Sequence, residues 1–294
     1  MTERPLLLSV PNVSEGSDAA AIDAIGRAFA PARLLDVHTD PDHGRSVFSL
    51  AAPQGELAEA VRNGAEAAIA RIDLRRHHGL HPHVGAIDVA PIVYTDGSER
   101  GAACAEALTA AALIGDELEL PVFLYGDLAT SPDRRERADI RRGGPQALAE
   151  RMQRGELAPD YGPSQPHESA GALLVTARPP LLAFNIDLAT DDLELAKKIA
   201  SRLRESGGGP PGVRAIGLYL PARGRAQVSF NVHNHTKAPL AKLIEEVQRE
   251  APIAEAELVG LAPAAAFADF PDDVPIRNFD PERQLLENAL RSSD

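Results

Sequence analysis

Four histidines lie within seven consecutive residues, HHGLHPH at 77–83. An imidazole with a pKa of roughly 6.5 exchanges protons at neutral pH, so a well-positioned histidine can act as a general acid or base. His81 is the best-placed candidate, because Pro82 restricts the backbone beside it and a segment predicted as a strand follows. Asp88, within that segment, can orient an imidazole if its side chain turns the same way. The cluster therefore predicts proton transfer by His81.

The same histidines fit two other interpretations. Imidazole is a common ligand of transition metals, and His77 and His81 have the i, i+4 spacing of ligands on one helical face. Gly79 and Pro82 break such a helix, and neither a cysteine nor an HExxH pattern accompanies the histidines. A polar loop exposed to solvent is the third interpretation.

Alternating strand and helix patterns surround this loop and recur later in the chain. Runs of apolar residues predict four strands in the first half, at 5–10, 34–38, 46–50 and 84–94. Helical spacing appears twice between them, in Ile22, Ile25 and Phe29 and in Leu57, Val61, Ala65, Ile69 and Ile72. The second half repeats this order, with predicted strands at 172–186, 213–220, 226–232 and 257–261 and helices at 189–205 and 240–247.

Two successive β-α-β-β-α-β orders predict an α+β protein made of two tandem ferredoxin-like sandwiches, each with helices on one face of a sheet. A helix at 98–118, a strand at 122–125 and a polar stretch at 127–162 separate the repeats. We place the boundary so that residues 1–171 hold the histidine loop and residues 172–294 hold the second repeat and a tail. A short helix is predicted at 282–290.

The composition limits the classes of partner that the protein can bind and the compartment in which it works. The chain has 294 residues and a formal charge of −13, which argues against broad binding to nucleic acid or anionic membranes. A single cysteine, Cys104, excludes an intrachain disulfide framework and suits a reducing compartment. No apolar run approaches the roughly 20 residues that span a bilayer, and the apolar part of the N-terminus is short for a signal peptide. We expect a cytoplasmic protein.

The segment HHGLHPHVGAIDVAP at 77–91 resembles the active-site segment of the glutamate formimidoyltransferase family, whose usual pattern is H-x-G-E-H-P-R-x-G-A-x-D-V. Other blocks match that family in the same order, to about residue 262: SVPNVSEG at 9–16, LLDVHTDPDHGRSVFSL at 34–50, PVFLYG at 121–126, RRERADIRRG at 134–143, APDYGPS at 158–164, LLAFNIDL at 181–188 and AQVSFN at 226–231.

The resemblance implies transfer of a formimidoyl group from N-formimidoyl-L-glutamate to the co-substrate tetrahydrofolate, a step of histidine degradation and one-carbon metabolism. It implies that His81 is the catalytic acid/base, taking a proton from the attacking folate nitrogen and returning one to the departing glutamate nitrogen. It also implies no metal, a homodimer, and folate held where the two subdomains join. Animal relatives carry a fused cyclodeaminase, so here that activity is expected in a separate protein.

The family's folate-contacting segment matches ten consecutive residues: Gly162, Pro163, Ser164, Gln165, Pro166, His167, Glu168, Ser169, Ala170 and Gly171. Without the resemblance, their composition fits an interdomain linker equally well. Five further residues are candidate substrate contacts or supporting groups: Asn12, His38, Arg45, Asp88 and Asn185. Arg45 can hold a carboxylate, whereas Asn12 and Asn185 also fit turns or caps.

Four positions depart from the family pattern: Leu80 stands for the usual Glu, His83 for Arg, His38 for Asp and Gly44 for Asn. These changes leave open a relative that acts on formyl donors, 5-formyltetrahydrofolate or formylglutamate. A non-catalytic ferredoxin-like protein that binds a small acidic ligand is a further alternative. The arginine-rich run at 134–142 is either a solvated helix face or an attraction for the folate's carboxylate tail.

Overall fold

The computed structural model describes residues 4–291, and the chain divides into two compact units between Pro179 and Pro180. The start of the N-terminal segment, residues 1–3, and the end of the tail, residues 292–294, lie outside the described residues. Both units combine helices with a β-sheet, so the predicted α+β class is confirmed. Within residues 4–291, no helix is both long enough and apolar enough to cross a membrane.

The first unit contains seven strands and five α-helices among its described residues. In chain order these are β1 (Leu6–Ser9), β2 (Asn12–Val13), α1 (Ala19–Ala28), β3 (Arg33–Asp40), β4 (Arg45–Pro53), α2 (Leu57–Arg71), β5 (Ile87–Val93), α3 (Arg100–Glu117), β6 (Val122–Leu124), α4 (Arg137–Arg141), α5 (Gly144–Gln153) and β7 (Leu173–Arg178).

These seven strands form one sheet. β3 pairs with β4, and the short strands β1 and β2 both lie between β4 and β5, all in antiparallel pairs. β5 then pairs in parallel with β7, and β7 pairs in parallel with β6. Strand β7 thus extends the sheet of the first unit.

Two cores hold this sheet between helices. The larger core joins apolar residues of α1, α2 and α3 to the sheet, with the Phe29 and Phe48 rings 5.1 Å apart between centroids. A smaller core joins Ile140 of α4 and Leu148 of α5 to Val89 and Leu174 of the sheet. The second core fixes α4 near β5, and α4 carries arginines that enter the site described below.

The second unit has the order β-α-β-β-α-β followed by two short helices: β8 (Leu182–Leu188), α6 (Leu193–Leu203), β9 (Val213–Leu220), β10 (Arg225–Val232), α7 (Leu240–Gln248), β11 (Ile253–Val259), α8 (Pro281–Gln284) and α9 (Leu286–Arg291). Its sheet is antiparallel with the strand order β11-β8-β10-β9. Apolar residues at helical spacing in α6 and α7 pack on the sheet and bury its core.

The structure differs from the sequence expectation at the junction. The segment 172–186, predicted as one strand, is two strands in different sheets, β7 and β8. Pro179, Pro180 and Leu181 separate them, because proline cannot donate to a strand ladder. The predicted boundary at 171/172 therefore precedes β7, whereas the compact units separate between Pro179 and Pro180. The helix predicted at 282–290 is likewise divided, into α8 and α9.

Candidate active site

Two glycines bring the histidine loop against the turn between β3 and β4. Gly44 has φ +61°, and a Cβ at this position would lie 2.6 Å from the Cα of Gly79. A Cβ on Gly79 would lie 2.4 Å from the carbonyl oxygen of His43. Because neither residue carries a side chain, the backbone N–H of Leu80 donates to Asp42 O at 3.1 Å and that of His81 to His43 O at 3.4 Å.

His81 is held by its own neighbour in the chain. Its ring Nδ1 lies 2.9 Å from the carbonyl oxygen of Pro82. A carbonyl oxygen only accepts, so this contact places the hydrogen on Nδ1 and leaves Nε2 with a free lone pair. His81 as a whole is partly exposed. One ring nitrogen of His81 therefore keeps an unshared lone pair.

Asp88 lies in a bulge of β5. Asn12 pairs with Val89 and Val13 with Ile87, so Asp88 is an extra residue between two paired ones. Its side chain is fully buried. A bulge re-aims the side chain of the extra residue, and here it points the carboxylate at a pair of arginines.

Arg45 and Arg141 both donate to the same oxygen of Asp88. Arg45 Nη2 lies 2.6 Å from Asp88 Oδ2, and Arg141 Nη2 donates to that oxygen as well. The other oxygen, Oδ1, accepts from the N–H of Val84 at 2.9 Å. The same Arg45 nitrogen donates to Pro82 O at 3.0 Å. Asp88 thus reaches His81 indirectly, through Arg45 and the Pro82 carbonyl, and does not bind the imidazole as the sequence suggested.

The charges of this cluster set the protonation of the site. Burial opposes ionisation of Asp88, but Arg141 and Arg45 outweigh it and lower the carboxyl pKa. Burial lowers the pKa of Arg45 to about 10. Burial and the positive charges of Arg45 and Arg141 lower the pKa of His81 well below its usual value. His81 is therefore neutral at pH 7 and able to accept a proton.

Further histidines surround the ring of His81. His43 is buried and lies edge-on to it, with the ring centroids 6.1 Å apart. His43 Nδ1 lies 3.3 Å from Asp40 Oδ2, and its backbone N–H donates to Asp40 Oδ1 at 2.9 Å. The rings of His77 and His83 are edge-on, with their centroids 4.2 Å apart. Burial, and secondly the charge of His83, lower the pKa of His77 to about 4. His77, His81 and His83 are thus partly buried against their neighbours, whereas His78 is exposed.

The segment expected to contact folate lies inside the first unit. His167 and Gly171 exchange two backbone hydrogen bonds of 2.9 and 2.8 Å, which closes a tight turn. This turn lies beside the strand that follows the histidine loop, because Ala86 N donates to Ala170 O at 2.9 Å. Ser164 is exposed at the other end of the segment. Since β7 follows in the same sheet, the segment is not a linker between the two units.

The remaining candidates lie in strands. Val47 of β4 pairs with Asn12 of β2 on one side and with His38 of β3 on the other. Arg45 is two residues from Val47 along β4, so the structure brings Asn12, His38 and Arg45 to neighbouring positions on one sheet. Asn185 lies in the second unit, where it is buried and its amide donates to Glu257 Oε2 at 3.2 Å.

The positions that depart from the family pattern differ in their surroundings. Leu80 has 41% of its surface exposed, so the missing glutamate would stand at the surface of the loop. Gly44 has a left-handed backbone, which glycine and asparagine both adopt, but the nearby Cα of Gly79 leaves room only for glycine. Burial lowers the pKa of His83, so a neutral ring stands where the family has a permanent cation.

Two residues of this site were not singled out from the sequence, although Arg141 belongs to the arginine-rich run at 134–142 whose role was left open. His43 and Arg141 both lie in blocks that carry the resemblance, DPDHGR and RRERADIRRG. Their roles depend on contacts with residues 38 and 53 positions away, His81 and Asp88, which periodicity does not report. A search for histidines and arginines inside every matching block would have included both. In the described part of the chain, no group of three or more His, Cys, Asp or Glu side chains is arranged to hold a metal.

A neutral imidazole flanked by arginines is suited to moving protons in reactions of anionic small molecules. The fold and site define an α+β protein with a histidine–arginine cluster in its first unit. Residues 6–178 match the model of the formiminotransferase domain, N-terminal subdomain, and residues 183–272 match the model of the formiminotransferase domain. The chain belongs to the formiminotransferase family.

Three relatives illustrate this relationship. A glutamate formimidoyltransferase of Streptococcus pyogenes serotype M1 is 38% identical over 96% of this chain and 97% of its own length. A glutamate formimidoyltransferase of Thermoplasma acidophilum is 36% identical over 98% of each chain. The formimidoyltransferase-cyclodeaminase of Sus scrofa is 40% identical over 90% of this chain and 51% of its own length.

Proposed function

We propose that this chain is an enzyme that transfers the formimidoyl group from N-formimidoyl-L-glutamate to tetrahydrofolate, giving 5-formimidoyltetrahydrofolate and glutamate. The proposal rests on two relatives named glutamate formimidoyltransferase. Each of them matches this chain over almost the full length of both sequences. The site adds independent support, because it offers a neutral imidazole and several arginines, which suit a reaction between two carboxylate-bearing substrates.

His81 is the proposed acid and base. Its Nδ1–H is held by Pro82 O, so Nε2 accepts the proton that the attacking secondary amine loses. The resulting imidazolium then donates that proton to the nitrogen of the departing glutamate. Arg45 and Arg141 destabilise the charged ring, which favours return of the proton. One imidazole thus completes the cycle with no net change in protonation.

The folate is proposed to contact the segment from Gly162 to Gly171, and Asn12, His38, Arg45, Asp88 and Asn185 to contact or support the substrates. Hydrogen bonds between this segment and Ala86 support a location beside the histidine loop. Positioning two substrates against one base supplies much of the acceleration in such transfers. The enzyme takes tetrahydrofolate as a co-substrate and needs no metal in this proposal.

Both units are proposed to be ferredoxin-like. Each contains the order β-α-β-β-α-β, and the second has the antiparallel strand order β11-β8-β10-β9. In the first unit, β5, the β1–β2 pair, β4 and β3 follow the same order. We further propose that the enzyme is a cytoplasmic homodimer and that a separate cyclodeaminase consumes its product, with light scattering of the purified protein as the test of the dimer.

The direct test incubates the purified chain with tetrahydrofolate and N-formimidoylglutamate and measures released glutamate. A parallel reaction tests N-formylglutamate, the second candidate donor. It is included because His83 and Leu80 replace the arginine and the glutamate of the family pattern, which can change the donor that the site accepts. We expect glutamate release from the formimidoyl donor, at least tenfold faster than from the formyl donor. Release from neither donor would contradict the proposed activity, and faster release from the formyl donor would reassign the substrate.

A further inference from the structure

Among its described residues, the first unit has two partly buried arginines without a carboxylate partner near the Asp88 cluster. Arg45 and Arg141 share Asp88. Arg137 is four residues before Arg141 on α4, so the two side chains leave the same face of the helix. In the part of the chain that the structure describes, neither Arg137 nor Arg178 has a carboxylate oxygen within 4.0 Å, the limit for an ion pair. Two guanidinium groups near the site therefore lack a counter-charge.

Arg178 is the more constrained of the two. It ends β7, opposite Val93 of β5, and its side chain is partly buried. Nη1 donates to the carbonyl oxygen of Pro179 at 2.9 Å, and Nε is buried without any hydrogen-bond partner. Burial lowers the pKa of Arg178 to about 10, Tyr125 raises it and Arg137 lowers it further. The guanidinium is thus partly withdrawn from water, and one of its N–H groups has no hydrogen-bond partner within the described part of the chain.

Arg137 connects this position to the catalytic cluster. The N–H of Gly126 donates to the carbonyl oxygen of Arg135 at 3.2 Å, and the N–H of Tyr125 donates to that of Val175 at 3.0 Å. The start of α4, with Arg137, and the end of β7, with Arg178, therefore both lie close to residues 125–126. Arg45 and Arg141 are paired with Asp88, whereas Arg137 and Arg178 have no carboxylate partner among the described residues.

A buried N–H group without a hydrogen-bond partner costs free energy, and a guanidinium without a carboxylate partner can bind an anion. Resting on the proposed function, we propose that Arg137 and Arg178 form a binding site for a carboxylate of the glutamyl group of a substrate. The planar fork of arginine matches a carboxylate with two parallel hydrogen bonds. Both the donor and the folate tail carry glutamyl carboxylates, and the measurements below distinguish these two sources.

The first test compares the kinetics of Arg178→Met and Arg137→Gln with the wild type. Arg135→Gln is the matched control, because Arg135 is exposed in the same arginine-rich segment. We expect KM to rise about 10- to 100-fold for one substrate while kcat stays within about threefold, since a charged hydrogen bond is lost from binding and the base is untouched. A rise in KM for formimidoylglutamate assigns the site to the donor, and a rise for tetrahydrofolate assigns it to the folate tail. Values within twofold of the wild type for both substrates would overturn the proposal.

A second test needs no turnover and therefore stays informative if the proposed reaction fails. The thermal midpoint of each variant is measured alone, with L-glutamate and with tetrahydrofolate. We expect Arg178→Met to be at least as stable as the wild type alone, because an unpaired cation is removed, and to lose stabilisation by one of these ligands. Arg178→Lys, which keeps the charge but not the fork, should retain part of that stabilisation. Equal ligand-induced shifts in wild type and Arg178→Met would contradict the assignment.

Discussion

The two units contain the same turn, and only one of them uses it to build a site. Each turn joins the second and third strands of a β-α-β-β-α-β order and reads Pro-x-x-Gly-Arg, with Gly44 and Gly224 both at φ +61°. At Gly44 a Cβ would collide with Gly79, whereas at Gly224 it would meet nothing within 4 Å. The shared glycine serves the turn in both units, and in the first it also admits the histidine loop.

Buried charge distinguishes the units as well. In the second unit, Arg223, Arg225 and Arg277 each have a carboxylate oxygen within 4.0 Å, from Asp187, Glu255 or Glu257. In the first unit, Asp88 pairs with Arg45 and Arg141, while Arg137 and Arg178 have no such partner within residues 4–291. The arginines of the second unit are thus paired with its own carboxylates. In the first unit, Arg137 and Arg178 remain able to bind an anionic ligand.

The largest expected effect on stability is that of Asp88→Asn. Asp88 alone bridges two buried arginines, so its neutralisation should lower the free energy of unfolding by about 3–5 kcal/mol. Asp187→Asn is the matched variant in the second unit and should cost only about 1–2 kcal/mol, because Glu257 remains to pair with Arg223 and Arg277. Urea unfolding of both variants measures the difference, and equal losses would remove the contrast between the units.

Asp88 should also determine how steeply the free energy of unfolding falls at low pH. Its native pKa is below its ordinary value, so its contribution is fully present above the unfolded pKa of about 3.9 and disappears as the pH falls through the native pKa. The stability of Asp88→Asn should consequently fall less steeply than that of the wild type below pH 4. Parallel pH profiles of the two proteins would not fit this account.

A smaller effect on stability is expected from Gly44→Ala and Gly224→Ala. Both substitutions force alanine into a left-handed backbone, at a cost of about 1–2 kcal/mol. Only Gly44→Ala also displaces the histidine loop, so its kcat/KM should fall at least tenfold while that of Gly224→Ala stays unchanged. Urea unfolding and steady-state kinetics measure both quantities. Loss of activity in both variants, or in neither, would show that the glycine contact does not position His81.

The smallest effect concerns the pH dependence of turnover. Burial and the arginines beside His81 lower its pKa, so the neutral base persists as the pH falls below 6.5. We expect kcat/KM to stay flat from pH 7 down past pH 6.5 and to fall only at lower pH, as the ring gains a proton. An acid limb centred at or above pH 6.5 would mean that burial, Arg45 and Arg141 do not lower the pKa of His81.

Much of the fold follows from local sequence patterns. The helical spacing in α2 and α7 and the repeated element order were readable because each depends on neighbours a few residues away. The family assignment from the matching sequence blocks is confirmed by both family models. The strand expected at 172–186 was wrong as one element, because the prolines at 179 and 180 outweigh its apolar composition.

Less of the candidate site followed from sequence. His81, Arg45 and Asp88 were named, and the structure places them in one cluster, yet their roles stay predictions. The bulge that aims Asp88 at Arg45 and Arg141, and the contact between Gly44 and Gly79, depend on residues brought together from distant parts of the chain. No periodicity encodes such contacts, so the sequence indicated only that Asp88 can orient an imidazole if its side chain turns the same way.

The turnover of His81→Ala tests the central claim most directly, with His78→Ala, an exposed neighbour in the same loop, as its control. Loss of the acid/base should lower kcat for formimidoyl transfer by about 10²- to 10⁴-fold, with an unchanged unfolding midpoint. His78→Ala should keep nearly all of the wild-type rate. If His81→Ala retains more than a tenth of the wild-type kcat, His81 is not the group that moves the proton.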